Sequence, residues 1–157
     1  MPLDEQDMAL WDQAMTAQAE ALLRQASAKS TIGRFQIEAA IQSVHAARAR
    51  SGQTNWRALS QLYAGLNCLY PTIGGAVSQA AAVGRDAGPG AGLDMLAKID
   101  PAAITTYQAA WAVRADLLRR ASRLSEAREA YAKAISLCTD APLRRWLEAR
   151  AAALPLH

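Results

Sequence analysis

The chain has 157 residues, is 52% hydrophobic and carries 17 basic against 14 acidic residues. This length and hydrophobicity suffice for one folded domain with a sizeable core. The net charge is only +3 and no run of Lys or Arg stands out, which argues against a nucleic-acid binder, whose basic residues gather on one face. No apolar run approaches the ~20 residues that span a bilayer, and acidic residues stand near Met1 where a signal peptide would be basic. We therefore expect a cytoplasmic protein without a membrane segment.

Every element is predicted to be a helix, because Ala, Leu, Gln, Glu and Arg dominate between the Gly and Pro breakers and alternating β-branched runs are lacking. A first helix is predicted over about residues 4–27. Three helical hairpins follow, at about 34–68, 72–99 and 103–137, and a capping helix covers about 142–154. We expect all of them to form a single all-α domain over residues 1–157.

A repeat of about 34 residues relates the three hairpins. The third hairpin carries an aromatic residue, a small residue four positions later, and a small–aromatic–small series on its second helix, which is the tetratricopeptide pattern: Trp111, Ala115, Leu118, Ala127, Tyr131 and Ala134. The equivalent positions are Ala80, Gly92 and Leu96 in the second hairpin, and Ala46, Ala58 and Leu62 in the first. The sequence thus predicts a right-handed, tetratricopeptide-like array of helical hairpins, with an N-terminal helix and a C-terminal capping helix.

The stretch WAVRADLLRRASRLSEAREAYAKAI, at 111–135, can also be interpreted as a DNA-binding helix-turn-helix. The recognition helix of that motif presents polar and basic side chains to the major groove. Here the polar face of the second helix mixes Glu126 and Glu129 with Arg128 and Lys133, so phosphates would meet two carboxylates. We predict a hairpin that packs against its neighbours and does not bind DNA directly.

Catalytic, metal and cofactor sites are not expected. Cys68 and Cys138 lack metal-site spacing and are predicted to be buried free thiols. His45 has no nucleophile or carboxylate at catalytic spacing, so it is predicted to be a packed histidine. The glycine-rich stretch GPGAG, at 88–92, follows a helix and lacks the GK[ST] ending of a phosphate-binding loop; it is predicted to be a turn.

The remaining candidate site is the concave groove that stacked hairpins create, lined by the first helix of each pair. The repeat pattern places six residues on or near it: Ser43, Arg50, Val77, Arg85, Asp116 and Arg119. Three arginines facing one groove could bind a carboxylate or an acidic segment bidentately. The alternative is that they are ordinary solvated surface arginines.

Five segments, in order and spacing, resemble the C-terminal extension of a group of extracytoplasmic-function (ECF) RNA polymerase sigma factors. They are DEQDMALWDQAM near the start, GRFQIEAAIQSVHA at 33–46, NWRALSQLYAGL at 55–66, GPGAGLDML at 88–96 and RADLLRRASRLSEAREAYAKAI at 114–135. The resemblance covers nearly the whole chain. It implies tetratricopeptide-like helices and a regulatory role in transcription initiation that acts through protein contacts.

Two departures from this family limit what the resemblance implies. Ser78 and Gln79 stand where the family usually has an Asn-Arg pair, and the sigma regions that bind polymerase and promoter would lie upstream of Met1. We expect a non-enzymatic interaction domain whose partner is those sigma regions or a polymerase-associated protein. The alternative is a free-standing tetratricopeptide-like scaffold without a transcription role.

Overall fold

The computed structural model describes residues 5–29 and 32–155. Within them the fold is all-α and built of helical hairpins, as predicted, and no strand occurs. A 3₁₀ turn, Met8–Leu10, comes first. The α-helices follow in this order: α1 Gln13–Ser27, α2 Arg34–Ser51, α3 Trp56–Leu69, α4 Ile73–Asp86, α5 Pro89–Leu96, α6 Pro101–Ile104, α7 Gln108–Arg120, α8 Leu124–Ser136 and α9 Ala141–Ala152.

The contacts cluster into two compact units, unit 1 (Met1–Pro71) and unit 2 (Thr72–His157). Unit 1 contains α1, α2 and α3, and unit 2 contains α4 to α9. The single domain expected from the sequence stays a prediction, and each unit is described by itself.

The first predicted helix is interrupted in unit 1. Asp7 caps the 3₁₀ turn by accepting a hydrogen bond from the Ala9 N–H at 2.9 Å, and Asp12 then caps α1 by accepting one from the Met15 N–H at 2.8 Å. Two successive aspartate caps start two separate elements, because each carboxylate satisfies N–H groups that a continuous helix would bond to its own carbonyls. The start of the predicted helix, at residue 4, lies outside the described residues.

The core of unit 1 uses different positions from those that the repeat predicts. Ile41 and Leu59 are 2% and 0% exposed, whereas Ala46, Ala58 and Leu62 are only half-buried. The predicted hairpin over 34–68 is present as α2 and α3. Large aliphatic side chains fill its core, so the small-residue register of the tetratricopeptide pattern does not hold in this hairpin.

Unit 2 follows the tetratricopeptide pattern closely. Five of the six pattern residues in α7 and α8 are at most 1% exposed: Ala115, Leu118, Ala127, Tyr131 and Ala134. The sixth, Trp111, packs against their cluster from its edge. Leu147 of α9 completes the same core, which gives α9 the capping position predicted for it.

The α4–α5 hairpin of unit 2 depends on two glycines. A Cβ added to Gly92 would lie 2.8 Å from the Ala80 carbonyl oxygen and 2.9 Å from the Gly84 Cα. These distances are too short for any side chain, so the two helices cross in backbone contact. The GPGAG stretch is therefore more than the predicted turn: Gly88 precedes the helix with φ 101°, and Pro89 already belongs to α5.

The two cysteines differ from each other. Cys138 is buried in the unit 2 core, as predicted. Cys68 is exposed on α3, so the prediction of two buried thiols is wrong for this residue. Its helix buries Leu59 and Leu66 and turns Cys68 toward solvent.

Candidate functional site

The six predicted groove residues belong to both units. Ser43 and Arg50 lie on α2 of unit 1, whereas Val77, Arg85, Asp116 and Arg119 lie on α4 and α7 of unit 2. The two sets are therefore described separately.

In unit 1, Arg50 has a partner within its own unit. Its Nη2 lies 3.0 Å from Oε1 of Glu20 on α1. The Arg50 side chain is 64% exposed, so the pair is a surface ion pair of small energetic weight. Sequence spacing does not indicate this partner, because the two residues are 30 positions apart.

Ser43 and His45 line a cavity of about 580 Å³ between α1 and α2. Its wall is mainly apolar and includes Trp11, Met15 and Leu23. The His45 ring meets Trp56 edge-on, with ring centroids 6.2 Å apart. Burial, and secondarily the positive charge of Arg48, lower the pKa of His45. The lowered pKa favours the neutral imidazole. His45 is a packed residue, as the sequence predicts.

Beside this cavity, Arg48 of α2 contacts the residues on either side of the N-terminal 3₁₀ turn. It donates a hydrogen bond from Nη2 to the Gln6 carbonyl oxygen at 3.0 Å. Its guanidinium also lies 5.8 Å from the Trp11 ring centroid, within cation–π range. Sequence spacing could not reveal this contact, which joins residues 42 positions apart.

Val77 does not line an open groove. It is 2% exposed and belongs to the core of unit 2, together with Ala80, Leu96 and Leu117. Val77, Ala80 and Gly84 are all buried on α4, at the i, i+3, i+7 spacing of the buried face of a helix. This placement corrects the predicted role of Val77.

The other three predicted residues of unit 2 lie together. Arg85 is close enough to Asp116 and Arg119 for their charges to change its pKa. The Arg119 Nη2 donates to the Asp116 Oδ1 at 2.6 Å. The structure adds two residues that the sequence analysis missed, Arg120 on α7 and Arg150 on α9, whose charges also act on Arg85. We call Arg85, Asp116, Arg119, Arg120 and Arg150 the arginine cluster.

Helix ends bring the arginine cluster together. Arg85 lies in the last turn of α4, Arg119 and Arg120 in the last turn of α7, and Arg150 in the last turn of α9. A helix C-terminus carries a partial negative charge that favours a cation there, so each helix alone accounts for its own basic residue. Although these residues lie on three different helices, the charges of Arg119, Arg120 and Arg150 all act on Arg85.

The charges in the cluster act on one another. Burial, and next the charge of Arg120, lower the pKa of Arg85, while Asp116 opposes them. The hydrogen bond to Asp116 raises the pKa of Arg119. Beneath them, burial and the Asp116 carboxylate raise the pKa of the Tyr131 hydroxyl. The cluster therefore combines four guanidinium groups with the Asp116 carboxylate in a half-buried place.

No helix among residues 5–29 and 32–155 is both long and apolar enough to cross a membrane.

Comparison with known proteins shows similarity to a bacterial protein. The chain is 34% identical over 139 residues to an uncharacterized protein of Rhizobium meliloti (strain 1021). The match covers 88% of this chain and 33% of that protein, so the chain spans about a third of the relative's length. No family model matches the chain, and no solved structure matches it.

Proposed function

We propose that the chain is a non-catalytic interaction domain of an ECF-type RNA polymerase sigma factor, and that it modulates transcription initiation through its helical-hairpin surface. The observation that carries this proposal is the packing of unit 2. There the residues that define the tetratricopeptide pattern, such as Ala115, Ala127 and Tyr131, are buried at the crossing of α7 and α8. Hairpins of this kind present extended surfaces to other proteins.

The segments that resemble the sigma-factor extension supply the second support. Two of them, GPGAGLDML and RADLLRRASRLSEAREAYAKAI, correspond to α5 and to the α7–α8 hairpin. These are the helices of unit 2 in which the small residues of the pattern are buried, at Gly92 and Ala127. The resemblance therefore involves residues with a physical role in the fold.

The length of the relative from Rhizobium meliloti is compatible with the proposal. The aligned stretch is 33% of that protein, so two thirds of its chain lie outside the similarity. A sigma factor needs polymerase-binding and promoter-binding regions in addition to an extension, and the remaining two thirds provide room for them. In this arrangement the domain would act by favouring one of two states of the sigma regions, through different contacts in each state.

A run-off transcription assay tests the proposal. Core polymerase would be combined with the sigma regions encoded in frame upstream of Met1, either alone or joined to residues 1–157. We expect the transcript yield to change severalfold when the chain is present. The chain alone should not shift promoter DNA in a gel, because its proposed contacts are with protein.

Two results would contradict the proposal. If no sigma regions are encoded in frame, the free-standing scaffold becomes the better hypothesis. If they are encoded but the transcript yield is the same with and without the chain, the regulatory role is wrong.

A further inference from the structure

The arginine cluster concentrates the charge of the chain. Unit 1 has six basic and six acidic residues, whereas unit 2 has eleven basic and eight acidic residues. The whole net charge of +3 therefore belongs to unit 2. Four arginines and one aspartate give the cluster the same excess of three, and the rest of unit 2 is balanced at seven against seven.

Such a concentration of positive charge attracts an anion. Guanidinium groups that lie near one another in a half-buried place repel more strongly than they would in water. The pKa of Arg85 is lowered first by burial and next by the charge of Arg120. The Nε of Arg120 is buried and makes no hydrogen bond within the described part of the chain. One cation at each helix C-terminus would suffice to stabilise the partial negative charge there.

We propose that the arginine cluster is the binding site for an acidic peptide segment of a partner protein, held through its side-chain carboxylates. This inference rests on the proposed interaction function, and it names the chemistry of the partner. The Arg119–Asp116 pair already demonstrates the contact: a carboxylate oxygen lies 2.6 Å from a guanidinium nitrogen. Carboxylates on a partner would bind Arg85, Arg120 and Arg150 in the same way, because the planar guanidinium fork matches a carboxylate bidentately.

The confinement of the charge favours an acidic peptide over a nucleic acid. A phosphate backbone repeats its charge at short intervals and requires a basic stripe that follows it. Outside the cluster, the acidic and basic residues of unit 2 balance, and the α8 surface carries Glu126 in an ion pair with Arg123. A phosphate backbone that extended beyond the cluster would therefore meet carboxylates.

Asp116 acts in this proposal as an internal competitor for Arg119. A partner carboxylate must share Arg119 with Asp116 or displace Asp116, so Asp116 lowers the affinity for the partner. Replacing Asp116 with Asn retains the shape and removes the competing charge. The affinity for an acidic peptide should then rise.

Isothermal titration of the full chain with synthetic peptides tests the inference. The probes are an oligo-glutamate peptide, an oligo-glutamine peptide of the same length, inorganic phosphate and a single-stranded DNA oligonucleotide. We expect the oligo-glutamate peptide to bind, with an affinity that falls as salt is added, and the other three probes to bind at least about tenfold more weakly. Equal binding of phosphate or of the oligonucleotide would overturn the inference, as would the absence of peptide binding.

Variants locate the site. Arg120→Ala and Arg85→Ala should each weaken peptide binding about tenfold, the loss of one charge-assisted hydrogen-bonded contact. Arg120→Lys should recover only part of it, since Lys keeps the charge but not the fork. Arg145→Ala is the matched control, because Arg145 is exposed on α9, outside the cluster, and should leave binding unchanged. Asp116→Asn should strengthen it severalfold.

Circular dichroism spectra of all variants separate misfolding from lost contacts. If Arg145→Ala weakens binding as much as Arg120→Ala in folded proteins, the site is not the cluster. The proposed sigma-factor role is tested by the transcription assay, which does not use these peptides. If the peptide titration fails and the transcription assay is positive, only the proposal of a peptide site at the arginine cluster is wrong. The proposed sigma-factor role then stands.

Discussion

Ser122 forms the turn of the α7–α8 hairpin. Its φ of 58° lies in the left-handed region and is the only positive φ among the non-glycine residues of the described chain. The turn is closed by a hydrogen bond from the Arg123 N–H to the Leu118 carbonyl oxygen at 2.9 Å, which is the geometry of a Schellman helix end, where glycine is preferred. Serine incurs a steric cost here that glycine would avoid.

The expected result of Ser122→Gly is a free energy of unfolding higher by about 0.5–1 kcal/mol, measured by urea denaturation. Ser125→Gly, at an exposed position in the first turn of α8, is the control and should be neutral or destabilising. A loss of stability in Ser122→Gly would mean that the left-handed turn is not present in solution.

His45 gives unit 1 a pH dependence. Its pKa in the folded state is lower than the ordinary 6.5, because of burial and then Arg48. Below pH 6.5 the unfolded chain therefore binds a proton that the folded chain resists, and the free energy of unfolding falls as the pH falls through this window. Well above pH 6.5 the histidine is neutral in both states and contributes no pH dependence.

Urea denaturation at about pH 7.5 and about pH 5 measures this effect. His45→Gln cannot be protonated, so the variant should lose less stability than the wild-type chain between the two pH values. An identical loss in both proteins would show that His45 is not buried as described.

At the scale of elements, the second hairpin depends on the Gly84–Gly92 crossing. Gly92→Ala would press its Cβ against the Ala80 carbonyl and the Gly84 Cα, two backbone groups that cannot rotate away. We expect a loss of about 2 kcal/mol in the free energy of unfolding, as for other overpacked sites. Gly90→Ala on the same helix is the matched control, since nothing lies within 4 Å of its added Cβ. Thermal unfolding of both variants, monitored by circular dichroism, measures this difference. Equal stability of Gly92→Ala and Gly90→Ala would contradict this packing.

Helices of this chain were predictable from sequence where small residues and capping side chains determine them. The α7–α8 hairpin follows from the small–aromatic–small spacing of Ala127, Tyr131 and Ala134. The capping helix predicted from about residue 142 is present as α9, which has Pro142 in its first turn. The break before α1 could not be predicted from the apolar periodicity, because that periodicity continues past Asp12. In the structure Asp12 is the N-cap of α1. The first hairpin departed from its register because Ile41 and Leu59, which lie outside the repeat pattern, fill its core.

For the whole molecule, the candidate site could be predicted only in part. The repeat spacing predicts Arg85 and Arg119 on one groove, which stays a prediction; in the structure they lie in the last turns of α4 and α7, and the charge of Arg119 acts on Arg85. The repeat pattern does not indicate Arg150, because α9 is the capping helix and lies outside the three predicted hairpins. Periodicity alone could not distinguish the two faces of α4, on which Val77 is buried and Arg85 is half-buried.

The segregation of charge between the units is the whole-molecule property that bears on function. Unit 1 is neutral and unit 2 carries all of the excess, so a partner attracted by charge would bind unit 2. The tetratricopeptide pattern is also clearest in unit 2, at Ala115, Ala127 and Tyr131. The interaction function proposed for the chain therefore depends mainly on unit 2.

The most direct test of the central claim is a calorimetric titration of the purified chain with the sigma regions encoded in frame upstream of Met1. We expect saturable binding that weakens about tenfold when Arg120 is replaced by Ala and is unchanged when Arg145 is replaced by Ala. If the folded chain and folded sigma regions do not bind each other, the claim that this chain is a sigma-factor interaction domain is contradicted.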